Sequence, residues 1–163
     1  MLHSTLRSMF FKRGAFKAAV TTGLLAGLLD GTAACLQVYI SRGRMPDAVF
    51  KFVASGIFGP SALSGGTMMI IWVIIFHLII AVLWSTLYYG ATFFIRSIGQ
   101  LWIISGAIYG AFVWVMMNFV VLPASNTPAI SPSVTGLLII IVCIGLPISF
   151  CARRYYAKRQ NEF

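Results

Sequence analysis

Four long apolar runs, separated by polar or proline- and glycine-rich breaks, order this chain. They cover about residues 18–40, 67–94, 101–122 and 134–151. Each approaches or exceeds the roughly 20 apolar residues that a helix needs to cross a bilayer. The second run would be roughly 40 Å long as a helix, more than the hydrocarbon core requires. It is therefore expected to tilt or to emerge at its Ala91–Phe94 end, where Tyr88 and Tyr89 read as interfacial anchors. Pro123 stops the third run, and Pro147 predicts a kink near the end of the fourth. The expected fold class is an all-α membrane protein. A single domain over 1–163 forms a bundle of four transmembrane helices, with a short interfacial helix in the first outer loop.

That interfacial helix is expected over about residues 46–58. Pro46 suits a first helical position, and Val49, Phe52, Val53 and Ile57 share one apolar face. Gly56, Gly59-Pro60 and Gly65-Gly66 punctuate the connection. Ahead of the first run, Leu2, Leu6, Met9, Phe10 and Arg13 suggest a short amphipathic piece on the inner membrane surface. A cleaved leader ending near Thr32-Ala33-Ala34-Cys35 is the competing reading. Asp30 interrupts its apolar core, and the run continues through Leu36, Val38, Tyr39 and Ile40, so the uncleaved helix is preferred.

Composition supports the membrane assignment and adds an orientation. The chain is 60% hydrophobic and 9% charged, against roughly a quarter charged in soluble domains. The net charge of +9 comes largely from basic residues flanking the apolar runs: Arg7, Lys12, Arg13 and Lys17 before the first, Arg153, Arg154, Lys158 and Arg159 after the last. With Arg96 these place nine basic residues on one side, against Arg42, Arg44 and Lys51 on the other. The expected localisation is the bacterial inner (plasma) membrane, multi-pass, with both termini cytoplasmic. No folded basic domain exists to bind nucleic acid. Cys35, Cys143 and Cys151 lack the spacing of a disulfide framework or zinc site, so neither metal nor cofactor is expected.

Candidate chemistry centres on two residues. Asp30 lies inside the first run, where a charge costs at least about 2.5–3.5 kcal/mol and marks a functional candidate. His77 lies at matching depth on the antiparallel second run, roughly 15 Å from the outer surface. An Asp30–His77 pair would relieve the burial cost of both and could exchange a proton near neutrality. The same pair could equally lock two helices together. Tyr109, Trp114, Asn118 and Cys143 are expected to line a pocket around it. Gly23, Gly27 and Gly31, with Gly106 and Gly110, give overlapping GxxxG spacings, from which the first and third helices are expected to cross closely. Residues 24–33 also echo residues 103–112, with Tyr109 where Asp30 stands, as two hairpins of a parallel repeat would; a chance match of short small-residue patterns accounts for the echo at least as well. No nucleophile elbow, metal-binding helix or phosphate-cradling loop occurs, so no catalytic residues are assigned.

Leu101-Trp102, Gly106, Gly110, Pro123, Thr127-Pro128 and Arg153-Arg154 resemble the C-terminal half of the YagU-like bacterial inner-membrane proteins, a family of unassigned function. The stretch 52–59, Gly65-Gly66 and Phe76-His77 is similar to short four-helix bacterial proteins. The resemblance implies location and helix count. It brings no catalytic residues, and the longer outer loop of the YagU type is missing here. Two functions follow as expectations: a small transporter or channel-like protein with a proton-titratable Asp–His pair, or an accessory subunit of a larger membrane complex. The expected partners are the lipid bilayer and either a second copy or that complex.

Overall fold

The computed structural model describes residues 2–43, 46–59, 61–62, 66–94, 101–126 and 131–160. The described chain is helical, with no strand among these residues. Helix α1 spans Leu2–Arg42, α2 Pro46–Phe58 and α3 Thr67–Phe94. Helix α4 runs from Trp102 to Met116 and continues as a π-helical turn over Met117–Val121. Helix α5 comprises Val134–Ile140, a π-helical turn over Ile141–Gly145, and Leu146–Gln160. Four of these, α1, α3, α4 and α5, are long and apolar enough to cross a membrane. The chain thus has the helix count and apolarity of a multi-pass membrane protein.

Local chemistry explains most boundaries. Pro46 opens α2, where its missing N–H costs nothing. Gly43 and Gly59 close α1 and α2 at φ 58° and 74°, and their amides bond back to Tyr39 O and Ser55 O at 3.0 and 2.9 Å. Ser133 caps α5 by accepting from Gly136 N at 3.0 Å. Both π turns stand just before a proline, at 123 and 147. Proline offers no N–H to the carbonyl four residues back and crowds it, and a widened turn relieves that conflict. Where the sequence predicts a kink, the structure has a π turn that ends two residues before Pro147.

Two features differ from the sequence expectation. Helix α1 begins at Leu2 and has no break near residue 18, so the N-terminal amphipathic piece is continuous with the first span. The stretch contains no proline, and its one glycine, Gly14, does not interrupt the helix. Likewise α5 continues past Cys151 to Gln160. Helix α2 matches residues 46–58 and packs through Ala54, with Phe50, against Val73, Met69 and Ala62. The amide of Asn126 bonds Gly56 O at 3.1 Å, so the connection after α4 meets α2 at one end of the bundle. The turn carrying Arg96 and the Thr127-Pro128 segment lie outside the described residues.

Packing proceeds by hairpins. In lipid no hydrophobic drive brings helices together, so close backbone approach at small residues does much of the work. A Cβ added at Gly23 would lie 2.6 Å from Val82 Cα, and one at Gly27 2.8 Å from Ala81 Cβ. The α1 stripe is thus filled by α3. A Cβ at Gly110 would lie 2.7 Å from Ile141 Cα, and one at Gly145 2.9 Å from Gly110 Cα. The second stripe is filled by α5. This corrects the expectation that the first and third apolar helices cross at their glycines: each stripe receives the helix that follows it. Side-chain size explains the close approach, but a GxxxG stripe does not specify which helix will occupy it. The hairpins meet through Ala19, Ala26, Tyr88, Tyr89, Ile144, Ile148 and Ala152, drawn from α1, α3 and α5.

Candidate functional site

Asp30 and His77 meet on the facing sides of α1 and α3. His77 Nε2 lies 3.8 Å from Asp30 Oδ2 and 2.9 Å from the Gly27 carbonyl oxygen. A carbonyl only accepts, so Nε2 carries a proton and donates it there. The neutral imidazole thus has Nε2 as its protonated nitrogen. Gaining a second proton on Nδ1 would keep that bond and add attraction to the carboxylate at ion-pair distance. Gly31 lies beside the ring: a Cβ added there would stand 3.4 Å from Nε2, in ordinary contact.

The pair lies deep in its spans and is enclosed only in part. Asp30 falls within Gly14–Ser41 and His77 within Thr67–Thr92, each about 15 Å by helical rise from the end that carries α2. The Asp30 side chain is 15% exposed and that of His77 32%. Cys143, in the π turn of α5, is close enough to Asp30 to interact with it electrostatically. Along the outer side of the α1–α3 contact runs an apolar groove of about 290 Å³, lined by Leu24, Ile75, Leu78, Ile79 and Val82.

The other residues expected around the pair go elsewhere. Tyr109 donates to the Trp84 carbonyl at 2.5 Å and stacks edge-on against Tyr88, with ring centroids 4.8 Å apart. Trp84 is two helical turns along α3 from His77, so Tyr109 braces α4 against α3 away from the acid. Asn118 Nδ2 donates to Trp114 O, one turn back on its own helix, at 2.8 Å. Trp114 packs edge-on with Phe119, and its Nε1 faces the start of α5 near Gly136.

A second polar region, missed in the sequence, lies about two turns from Asp30 toward the N-terminus of α1, near where α3 and α5 finish. The Tyr89 hydroxyl and Thr22 Oγ1 are 3.0 Å apart, and the Tyr156 hydroxyl donates to Tyr89 O at 2.8 Å. Tyr88 and Ser105 join their hydroxyls at 2.8 Å. Tyr88 and Tyr89 are 2% and 3% exposed, so they face the bundle interior and do not act as interfacial anchors. The usable signal was spacing: His77, Ala81, Ser85 and Tyr89 recur every four residues on α3, and so do Thr22, Ala26 and Asp30 on α1.

Comparisons with protein-family models, with curated proteins and with solved structures give no match for this chain. The fold and site define a helical bundle with four helices long and apolar enough to cross a membrane, and an acid–imidazole contact between two of them.

Proposed function

We propose that this protein is a small proton-linked transporter of a bacterial inner membrane, with both termini cytoplasmic and Asp30–His77 as its titrating element. The observation that carries the reading is the 3.8 Å contact between a carboxylate and an imidazole on neighbouring spans, about 15 Å from the α2 end. Ionisable residues at such depth are expensive and are retained where charge or protons move. In this reading α2 lies in the outer interface plane, its apolar face against the bundle and lipid. The YagU-like resemblance agrees with this location and is silent on the cargo.

A flux measurement tests it. Purified protein in liposomes, given an inward pH gradient, should dissipate that gradient faster than empty vesicles. Asp30→Asn should bring the rate down to the empty-vesicle value while the protein stays folded. Wild-type flux equal to that of empty vesicles would end the transport reading. One observation favours an accessory function instead: His77 spends its proton on the Gly27 carbonyl, as a helix lock would. Under that reading Asp30→Asn loosens the α1–α3 contact or the attachment to a larger complex, and no flux exists to lose.

A further inference from the structure

Where α1 meets α3, two stripes of four-residue spacing run along the helices in opposite directions. At one level Asp30 meets His77; at another Thr22 meets Tyr89. Between them Gly27 sits against Ala81, and both Ala26 and Ala81 are buried. Ser85 falls between this small-residue layer and the Thr22–Tyr89 bond and is 0% exposed.

Ser85 differs from the other buried serines and threonines. Thr22 bonds Tyr89, Ser55 donates to Phe52 O, Thr92 to Tyr88 O, and Ser149 to Leu146 O. Ser85 Oγ has no partner among the described residues, although the neighbouring Thr86 takes the usual carbonyl one turn back. Among the described residues, the one other buried side-chain nitrogen or oxygen in this condition is Nε1 of the adjacent Trp84. Buried hydroxyls of this kind are commonly satisfied by an internal water. Further polar groups for such a water stand one turn away. The Tyr89 side chain leans toward the N-terminus of α3, as helical side chains do, and so toward Ser85. Two hydroxyls joined by one bond use one hydrogen, which leaves the second O–H of the Thr22–Tyr89 pair to donate elsewhere.

We infer that Ser85 and the Thr22–Tyr89 pair hold buried water, forming an inner proton station on the terminal side of Asp30–His77. The Ala26–Gly27–Ala81 layer separates the two stations, and its tight packing means that α1 and α3 must part there for protons to pass. This inference rests on the proton-linked reading for its role in transport, but the water site itself does not.

The test uses the full chain in lipid, with Cys35, Cys143 and Cys151 replaced by alanine as the reference protein. Ser85→Cys is exposed to N-ethylmaleimide and the product weighed by mass spectrometry. Val113→Cys, at a position 0% exposed on α4, serves as the dry control. Reaction at position 85 well ahead of position 113 is expected, since a thiol needs water to ionise and react. Equal inertness at both positions overturns the water site. In flux, Ser85→Val, which removes the hydroxyl and fills its space, should lose most of the reference rate, while Ser85→Thr retains it. Reference-level flux in Ser85→Val overturns the station's role. If the reference protein and wild type both carry no flux, the transport reading fails and the thiol reaction alone decides the water site.

Discussion

Gly145 offers a quantitative test of the hairpin packing. An added methyl at this position would meet the Gly106 carbonyl oxygen and stand 2.9 Å from both Gly110 Cα and Gly110 N. Ordinary carbon contacts are about 3.5–4.0 Å, so clearing Gly110 alone requires α4 and α5 to separate by about 0.6–1.1 Å, and the nearer Gly106 oxygen demands at least as much. The obstructing atoms are backbone and cannot rotate aside. A gap of that size forfeits about a quarter to a half of the attraction at each contact it opens. Overpacking costs about 1–3 kcal/mol, and rigid surroundings put this site near the upper end. Better helix propensity returns about 1 kcal/mol, which leaves a net loss of about 2 kcal/mol for Gly145→Ala. Gly90 on α3 is the internal control, because a Cβ there meets nothing within 4 Å. Gly90→Ala should be neutral or stabilising by up to about 1 kcal/mol. Equilibrium unfolding of both variants in the same mixed micelles measures the difference. If Gly145→Ala proves as stable as Gly90→Ala, α4 and α5 are not in backbone contact and the packing described is wrong.

Two further outcomes are expected. A double-mutant cycle of Thr22→Val and Tyr89→Phe should give a coupling of about 0.6 kcal/mol and no more than about 1.7, the range for hydrogen bonds between membrane helices; independent, additive effects would mean that α1 and α3 are not joined there. His77→Gln retains an N–H at the distal position of the side chain and should melt within a degree or two of wild type, whereas His77→Leu loses the bond to Gly27 O and should lose about 0.6–1.7 kcal/mol; equal melting temperatures for the two variants would show that the imidazole proton does not hold the helices.

Much of the architecture was legible because its signals are local. Hydropathy located the four long apolar helices, and Pro46 and Gly59 bracket α2. The long reach of α1 was not, because a basic stretch without proline carries no stop signal, whether or not it leaves the membrane. The partner of each glycine stripe was also hidden: Gly106 and Gly110 show that a helix can approach, while α5 occupies the groove through Gly145, Ile141 and Ser149 on a different segment. At the site, equal depth on antiparallel neighbours suggested that Asp30 and His77 could meet, and the two side chains stand 3.8 Å apart. Depth carries no information on azimuth, which is why Tyr109 and Asn118 satisfy their polar groups away from the pair. Tyr88 and Tyr89 illustrate the same limit, since position along a helix suggested the interface while their facing buried them.

Infrared difference spectroscopy on a pH step tests most directly whether the buried pair titrates. The chain has three acidic side chains, Asp30, Asp47 and Glu162, so the carboxylic-acid carbonyl region is simple to assign. In lipid-embedded protein with Asp47→Asn and Glu162→Gln, acidification should still produce a protonated-carboxyl band that shifts in deuterated water. Adding Asp30→Asn should remove that band, leaving the C-terminal carboxyl's contribution alone. A spectrum in which Asp30→Asn changes nothing, because no Asp30 band responds to pH, would contradict a pair that exchanges protons with water.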